Sequence, residues 1–314
     1  MTPVFLTIIS YSGDSSKFMA KQIRTLLTAS LLLGALNTAQ AGVLPEAAES
    51  IKIALAKKPT TRPMTVAYVP DYKRYYVADG GLGAVEDGIN IPMSKSEVHV
   101  FSEQGEYLQS AQLGLDNRSI YFNRNNHRLE SVTYNISSWA GFTPNAGIYT
   151  LELDDKGTLT RDRNEVSGYN PAFGDDATMP SYDPETGRYF AKQKRSDKVW
   201  IVKLNSREKV AEITLDLAAA GVQFDDISDN YVAWTGVAGE DLAVLDIDHK
   251  SILVFSEKGK FVGRSQLPTG VKLRAQNHYN GLGYANGLFF VYCETEGEFG
   301  TYRGFRIFDQ AVNQ

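Results

Sequence analysis

Acidic side chains recur at regular intervals along this chain. Asp175-Asp176 and Asp225-Asp226 lie 50 residues apart, and Asp79 and Glu294 each end or follow a β-rich aromatic segment. Clustered carboxylates bind calcium through hard oxygen ligands, or serve as the acid and base of a hydrolysis. Acids that cap surface turns give the same pattern. If the acids converge, calcium is the candidate cofactor, and the candidate metal ligands are Asp79, Asp176, Asp225, Asp226 and Glu294.

A second set of residues could hold an organic ligand. Trp139 and Phe142 lie in a long irregular segment, where aromatic rings can stack on a sugar or contact a partner protein, or else fold back on their own domain. Asn277 and His278 directly precede a β-rich segment near the C-terminus. These four residues are the candidate ligand-binding residues.

Several kinds of chemistry are excluded. Cys293 is the one cysteine, so neither an intrachain disulfide nor a Cys-x-x-Cys zinc site can form. The four histidines do not occur in pairs at metal-ligand spacing, and no Gly-x-Ser-x-Gly motif is present. The sequence therefore lacks a recognisable catalytic set and favours a binding module over an enzyme.

The charge of the chain limits its partners. The formal net charge is −5, and the first 41 residues contain three cations and one anion, so the remainder carries −7. A chain this acidic without a basic stretch offers no electrostatic footprint for nucleic acid. It also lacks the Lys/Arg cluster that holds a protein to an anionic membrane.

The N-terminal segment has the pattern of a cleavable signal peptide. Lys21 and Arg24 precede an apolar run of 11 residues, and Ala39-Gln40-Ala41 supplies small residues for cleavage. The run is too short to span a bilayer as a helix. We expect cleavage between Ala41 and Gly42 and a periplasmic or secreted mature protein. Met19 stands just before this unit, so residues 1–18 are consistent with an upstream start assignment.

The rest of the chain is built from repeats. The segments EVHVFSEQGEYLQSAQLG at 97–114 and SILVFSEKGKFVGRSQLP at 251–268 align without gaps. Three further segments combine a strand, a polar turn and another strand. The last apolar residues before the turns, at spacings of 51 to 53, are Phe101, Leu153, Leu204, Phe255 and Phe308. A period of this length indicates a propeller or a solenoid.

Each repeat has room for four strands, so we predict an all-β propeller of five four-stranded blades, with six blades as the alternative. The last repeat stops soon after its third strand, whereas the strand-like segment at residues 50–56 precedes the first repeat. We expect this N-terminal strand to complete the last blade and close the ring, which hides the sheet edges. Residues 42–314 then form a single domain.

The first repeat also resembles a known family. Tyr75-Tyr76-Val77-Ala78-Asp79, followed by Val98-His99-Val100-Phe101, resembles the strand motifs of the superfamily of NHL-type and SMP-30-like propeller repeats. The fourth repeat matches in part. The resemblance implies the propeller fold and says little about activity, because propellers host unrelated functions.

The lengths of the connections distinguish the two faces of the predicted ring. The inner-to-second and third-to-fourth strand turns are short, whereas the second-to-third loops and the links between blades include long segments such as residues 80–96 and 135–146. Because binding residues concentrate in long loops on rigid scaffolds, we place the site on the loop-rich face. The predicted function is an exported module that binds a carbohydrate, a peptide or a partner protein. The alternative is a calcium-dependent hydrolase or lactonase with an acidic site at the channel mouth.

Overall fold

The computed structural model describes residues 42–59, 62–80, 96–133, 147–168, 172–175, 178–206, 208–274 and 280–308. They form five sheets that follow one another along the chain, each of them one blade of a propeller with four antiparallel strands. The prediction of an all-β five-bladed propeller is confirmed, and the six-bladed alternative is wrong.

The strands occur in blade order after two N-terminal strands, β1 (Gly42–Val43) and β2 (Ala48–Ala54). Blade 1 contains β3 (Arg62–Val69), β4 (Arg74–Gly80), β5 (Glu97–Ser102) and β6 (Tyr107–Gln112). Blade 2 contains β7 (Asn117–Asn123), β8 (Arg128–Thr133), β9 (Ile148–Leu153) and β10 (Leu159–Ser167). Blade 3 contains β11 (Ser181–Asp183), β12 (Arg188–Lys192), β13 (Lys198–Lys203) and β14 (Ala211–Thr214). Blade 4 contains β15 (Ala233–Trp234), β16 (Leu242–Asp246), β17 (Ser251–Phe255) and β18 (Phe261–Gln266). Blade 5 contains β19 (Leu282–Ala285), β20 (Leu288–Cys293) and β21 (Thr301–Arg306).

The N-terminal strand closes the ring, as the sequence predicts. β2 pairs antiparallel with β21 and supplies the fourth strand of blade 5, with Ile53 opposite Tyr302. β1 adds a second tie, because it pairs in parallel with β18 at the outer edge of blade 4. The strand ends at Ala54, two residues before the predicted end. One segment thus joins the two blades on either side of the junction between β18 and β19.

Apolar side chains pack in the seams between neighbouring blades. The seam between blades 5 and 1 contains Ile53, Tyr75 and Phe290, all almost fully buried. Leu242 and Phe255 from blade 4 pack with Phe190 from blade 3 in the same way. Successive side chains of a strand point to opposite faces of the blade, and both faces pack against neighbouring blades. Middle strands such as β16 and β20 are therefore buried at every position.

The repeated glycine of the third-to-fourth strand turn has a structural role. Gly105 and Gly259 adopt φ values of +86° and +78°. A Cβ atom on Gly105 would lie 2.3 Å from the Lys52 carbonyl oxygen, and one on Gly259 would lie 2.1 Å from that of Thr214. Only glycine permits this conformation at such close approach to the neighbouring blade. The two best-matching repeats therefore share their turn because of blade packing.

One predicted hairpin is wrong. The sequence suggests that FDDISDNYVAW at residues 224–234 holds the inner strand, the turn and the second strand of blade 4. In the structure the inner strand is β15, which pairs with β16 across a turn at residues 235–241. The predicted turn residues Ser228, Asp229 and Asn230 are buried in the link from blade 3 instead. Polar residues taken as a surface turn here lie inside the molecule.

The described residues contain no helix that is long and apolar enough to cross a membrane. The four-residue helix α1 (Leu217–Ala220) lies in the link between blades 3 and 4. The predicted signal peptide at residues 1–41 lies outside the described residues.

Candidate functional site

Five aromatic residues, one from the inner strand of each blade, line the same end of the central channel. Each keeps partial exposure while its strand neighbours are mostly buried. We call these residues the aromatic rim; they are Tyr68, Tyr121, Tyr182, Trp234 and Tyr284. Each stands at or near the end of its inner strand, just before the turn to the second strand. The repeat therefore delivers one ring per blade to one level of the channel.

Two further layers line the channel below the aromatic rim. The middle layer consists of the residues that directly precede the rim residues in the sequence, which are Ala67, Ile120, Ser181, Ala233 and Gly283. The floor layer consists of the residues two positions before the rim residues, which are Val66, Ser119, Pro180, Val232 and Leu282. The floor layer is buried, and Ser119 is its one polar member. Small residues in the middle layer leave space between an aromatic rim and an apolar floor.

The resulting pocket has a volume of about 110 Å³. Its lining continues into the inner-to-second strand turns, through Pro70, Arg124, Pro184, Gly236 and Asn286. The pocket therefore lies at the face that carries the short turns, which we call the turn face. The sequence placed the site at the opposite, loop-rich face, where much of the long loops lies outside the described residues.

The pocket is electrically neutral. Arg124 is the one charged side chain among the described lining residues, and its guanidinium lies 3.1 Å from the Glu185 carboxylate. Burial raises the pKa of Tyr284 to about 12 and also raises the pKa of Tyr68. The phenols therefore stay uncharged at neutral pH. A neutral, aromatic pocket suits an uncharged ligand group and offers neither a metal-binding charge nor an acid–base pair.

The rim rings are held in place by neighbouring aromatic residues. The indole of Trp234 stacks on Phe190 with ring centroids 4.6 Å apart and planes within 6°. The rings of Tyr121 and Tyr182 lie 4.5 Å apart, and the Tyr121 hydroxyl lies 2.9 Å from that of Tyr189. Rings fixed in this way lose little freedom when a ligand binds, which favours affinity.

Five of the predicted site residues cannot be placed. The candidate ligand-binding residues Trp139, Phe142, Asn277 and His278 lie outside the described residues, as does the candidate metal ligand Asp176. Their roles remain predictions.

Four predicted metal ligands are placed, and three of them, which lie apart from Asp79, have partners of their own. Asp225 is exposed and lies 3.4 Å from the Arg195 guanidinium. Asp226 accepts a hydrogen bond from the Gln223 backbone N–H at 2.6 Å. The Glu294 carboxylate pairs with Arg274. Within the part of the chain that the structure describes, these acids do not gather with Asp79 into a group of possible ligands. The sequence placed them together because of spacing, but they belong to different links and loops.

Asp79 instead lies with Glu97 and His99, whose ligand atoms all fall within 4.8 Å of one another. This group has the composition of a metal site. Hydrogen bonds within blade 1 already account for it, since His99 Nε2 lies 2.9 Å from Asp79 Oδ2 and the Glu97 backbone N–H donates to Asp79 Oδ1 at 2.8 Å. A metal would have to break the Asp79–His99 bond in order to use both ligands.

The same network continues to a serine. His99 Nδ1 lies 2.7 Å from Ser110 Oγ, and the Tyr107 hydroxyl donates to that oxygen at 3.0 Å. Ser, His and Asp are the residue types of a hydrolytic triad, but here the His99 side chain is buried and stands opposite Ser110 across paired strands. The hydrogen-bonded series Asp79–His99–Ser110 joins β4, β5 and β6, and so ties the blade together.

The buried amine of Lys192 is a second polar feature that the sequence did not reveal. Its Nζ donates to the carbonyl oxygens of Gln193, at 2.9 Å, and of Ser196. Burial lowers the pKa of Lys192 to about 8, against the opposing effect of nearby carboxylates such as Asp229. Folding therefore favours the neutral amine.

We expect the pH dependence of stability to report this amine. Between the folded pKa of about 8 and the ordinary value of 10.5, the unfolded chain binds a proton that the folded chain does not. Stability from this group therefore rises with pH across that window, by about 3 kcal/mol. Lys192→Met removes the rise.

The measurement is urea unfolding of both proteins from pH 7.5 to 10.5. The difference between them isolates Lys192, because the tyrosines titrate alike in each. Parallel profiles across this range would contradict the low pKa.

Comparisons with known proteins bear on the fold alone. No protein-family model matches the chain, and no curated protein is similar to it. A tail fiber of Staphylococcus aureus phage P68 is similar at 11% identity with a TM-score of 0.50, over 84% of this chain and 53% of that one.

Two other solved structures are less similar. A glutaminyl cyclase from Myxococcus xanthus has 10% identity and a TM-score of 0.47, over 85% of this chain and 100% of that one. BamB from Moraxella catarrhalis has 8% identity and a TM-score of 0.35, over 85% of this chain and 99% of that one. The resemblance to NHL-type repeats stays an expectation. The order of strands in its five sheets shows that the chain is a five-bladed β-propeller.

Proposed function

We propose that this propeller is a binding module that takes an uncharged end group of a carbohydrate or peptide into the pocket inside the aromatic rim. The observation that carries the proposal is the ring of five partly exposed aromatic side chains around a neutral pocket. Tyrosine and tryptophan provide large, rigid, amphipathic contact surfaces, and such surfaces dominate recognition sites.

The size of the pocket sets how much of a ligand enters. Whole metabolites and drug-sized ligands occupy pockets of about 300–1,000 Å³. A cavity of roughly 150 Å³ holds a single benzene ring. With about 110 Å³ and an open turn face, this pocket suits one ring or one side chain of a larger ligand. The remainder of the ligand would then lie across the turns.

We further propose that the module works in the periplasm or outside the cell, on the strength of the signal-peptide pattern at residues 1–41. Its partner is a carbohydrate or a protein, without nucleic acid and without membrane insertion after cleavage. Calcium and a hydrolase activity remain predictions from the sequence, and the placed carboxylates Asp225 and Glu294 pair with arginines.

The experiment uses phenol as an uncharged ring and benzoate as its charged counterpart. We expect the wild-type protein to bind phenol more tightly than benzoate, because transferring a charge into a neutral pocket is costly. Trp234→Ala should weaken phenol binding roughly ten-fold, since it removes a rim ring. Ligand-observed NMR titration measures both affinities.

Trp200→Ala is the matched control. Trp200 lies on β13, carries Lys209 Nζ at 4.8 Å from its ring centroid, and is not among the described residues of the pocket. It should change phenol affinity less than two-fold. Equal losses in the two variants, or tighter binding of benzoate than phenol, would contradict the proposed site.

A further inference from the structure

Two arginines near the pocket differ in whether the protein already uses their charge. Arg124 lines the pocket, and its guanidinium lies 3.1 Å from the Glu185 carboxylate. Arg306, the last residue of β21, is partly exposed and makes no hydrogen bond or ion pair within the described residues. None of its nitrogens is a buried atom without a partner, so the guanidinium keeps access to solvent. Arg306 therefore offers a positive charge that a ligand can reach.

The turn between β19 and β20 places this guanidinium beside the mouth of the pocket. Asn286 lines the pocket, and Gly287 follows it in the turn. A Cβ atom on Gly287 would lie 3.7 Å from Arg306 Nη1, so a side chain at this position would cover the guanidinium. Gly287 comes three residues after the rim residue Tyr284, beyond the end of β19. Arg306 therefore lies outside the aromatic rim, on the turn face of blade 5.

Two phenols near this turn respond to the charge. Burial raises the pKa of Tyr75 and of Tyr284, and the positive charge of Arg306 opposes that rise in both residues. Tyr75 lies on blade 1, and its hydroxyl accepts a hydrogen bond from Asn286 Nδ2 at 2.9 Å. Tyr284 belongs to the aromatic rim on blade 5. The guanidinium therefore lies at the junction of blades 5 and 1, close to both the rim and the turn.

A carboxylate lies beside the same junction. The rings of Tyr68 and Tyr75 are 4.9 Å apart, and the Tyr68 hydroxyl donates to Glu103 Oε1 at 2.8 Å. Glu103 and Arg306 both act on the Tyr75 phenol, but no ion pair joins them in the described part of the chain. This side of the mouth therefore presents a cation for an acidic group and a carboxylate oxygen for an N–H donor.

We infer that the ligand is the C-terminal residue of a peptide, with its uncharged ring inside the aromatic rim and its α-carboxylate on Arg306. The inference rests on the proposed function and specifies its ligand. A guanidinium binds a carboxylate through two parallel hydrogen bonds, and capture of a C-terminal carboxylate is a recurring mode of peptide recognition. The backbone N–H of the same residue is a donor that Glu103 can accept.

The spacing between ring and acid favours a peptide over an acidic sugar. In an aromatic amino-acid residue, Cβ and Cα separate the ring from the carboxylate, so the ring can enter the pocket while the charge stays outside the rim. In a uronic acid the carboxylate is bonded directly to the sugar ring, which holds the charge at the level of the rim. Arg124, the charged residue of the described lining, already pairs with Glu185 there. Benzoate has the same limitation, so the expected preference for phenol over benzoate is unchanged.

The test compares N-acetylphenylalanine with N-acetylphenylalaninamide, which replaces the carboxylate by a neutral amide of similar size. Wild type should bind the acid roughly ten-fold more tightly, because the charge-assisted pair with the guanidinium forms only with the acid. Arg306→Gln should remove that preference and leave the affinities for the amide and for phenol within about two-fold. Arg124→Gln is the matched control and should keep the preference, since Arg124 already has a protein partner. Ligand-observed NMR titration measures the affinities.

Each outcome supports or overturns the inference. Loss of the preference for the acid in Arg306→Gln alone supports it. Equal wild-type affinities for acid and amide, with phenol still bound, overturn it and leave the proposed binding site intact. Loss of the preference in both arginine variants, or tighter binding of methyl glucuronide than of N-acetylphenylalanine, also overturns it. If phenol itself does not bind wild type, the proposed function fails.

Discussion

A chain that lacks residues 42–59 is expected to lose cooperative folding. The deletion removes β1 and β2, and with β2 the outer strand of blade 5. Ile53 and Leu55, at 0% and 5% exposure, leave the seam between blades 5 and 1. Two buried aliphatic side chains are worth about 1.5–3 kcal/mol each, and the exposed sheet edge adds to that. The sum is comparable with the whole stability of a typical domain, about 5–15 kcal/mol.

Thermal melts followed by far-UV circular dichroism test this prediction. Two single substitutions in β2, one buried and one exposed, serve as a matched pair. Ile53→Asn should reproduce much of the loss, whereas Lys52→Asn on the opposite, exposed side of the same strand should change little. A synthetic peptide of residues 42–59 added in trans should restore a transition to the deleted chain. An unchanged melting temperature after deletion would mean that the ring closes by other means.

Asp79→Ala is expected to cost about 3 kcal/mol of stability, the usual penalty for removing one partner of a buried polar pair. His99 loses its partner at Nε2, and the Glu97 backbone N–H loses its acceptor. The His99 bond is buried and the Glu97 bond is part-buried within blade 1, so the groups left behind have little access to water. Urea unfolding measures the change.

Asp71→Ala provides the control within the same blade. Asp71 is 58% exposed and lies 3.5 Å from His127, which is also exposed, so its removal should stay within about 0.5 kcal/mol. A similar small change for Asp79→Ala would mean that the Asp79–His99–Ser110 chain does not tie the blade. It would then reopen a catalytic or metal-binding role for these side chains.

The fold was predictable because each repeat carries its own alternation and turn chemistry. The 154-residue offset between the two best repeats fixes blades 1 and 4, and Gly105 and Gly259 mark equivalent turns. The early end of the last repeat, together with a spare strand before the first, was enough to predict closure. These signals are local, so they survive without knowledge of three-dimensional contacts.

The inner strand of blade 4 was not predictable in the same way. Its two residues, Ala233 and Trp234, are too few to show a period of two. The polar residues Ser228 and Asn230 resemble a surface turn, but Ser228 Oγ bonds the Asn280 carbonyl oxygen at 2.5 Å inside the molecule. Partners that distant in sequence cannot be inferred from composition.

The site was assigned to a face by loop length, and that signal does not report the channel lining. A sequence signal for the aromatic rim existed, since an aromatic residue precedes each inner turn, from Tyr68 in blade 1 to Tyr284 in blade 5. Recognising it requires the inner strands to be aligned first, and the two-residue inner strand of blade 4 is too short to align from the sequence. Regular spacing fixes positions within the repeat and not the distances between carboxylates, and among the described residues Asp225, Asp226 and Glu294 do not join Asp79 in one group of possible ligands.

Ligand binding in the channel can be measured directly by a protein-observed NMR titration with phenol that follows the indole N–H signals of Trp234 and Trp200. Trp234 lies in the aromatic rim, and Trp200 lies on blade 3 facing Lys209. We expect a saturable shift of the Trp234 signal while the Trp200 signal stays in place. A Trp234 signal that does not move at saturating phenol, or equal shifts of both signals, would contradict binding in the channel at the turn face.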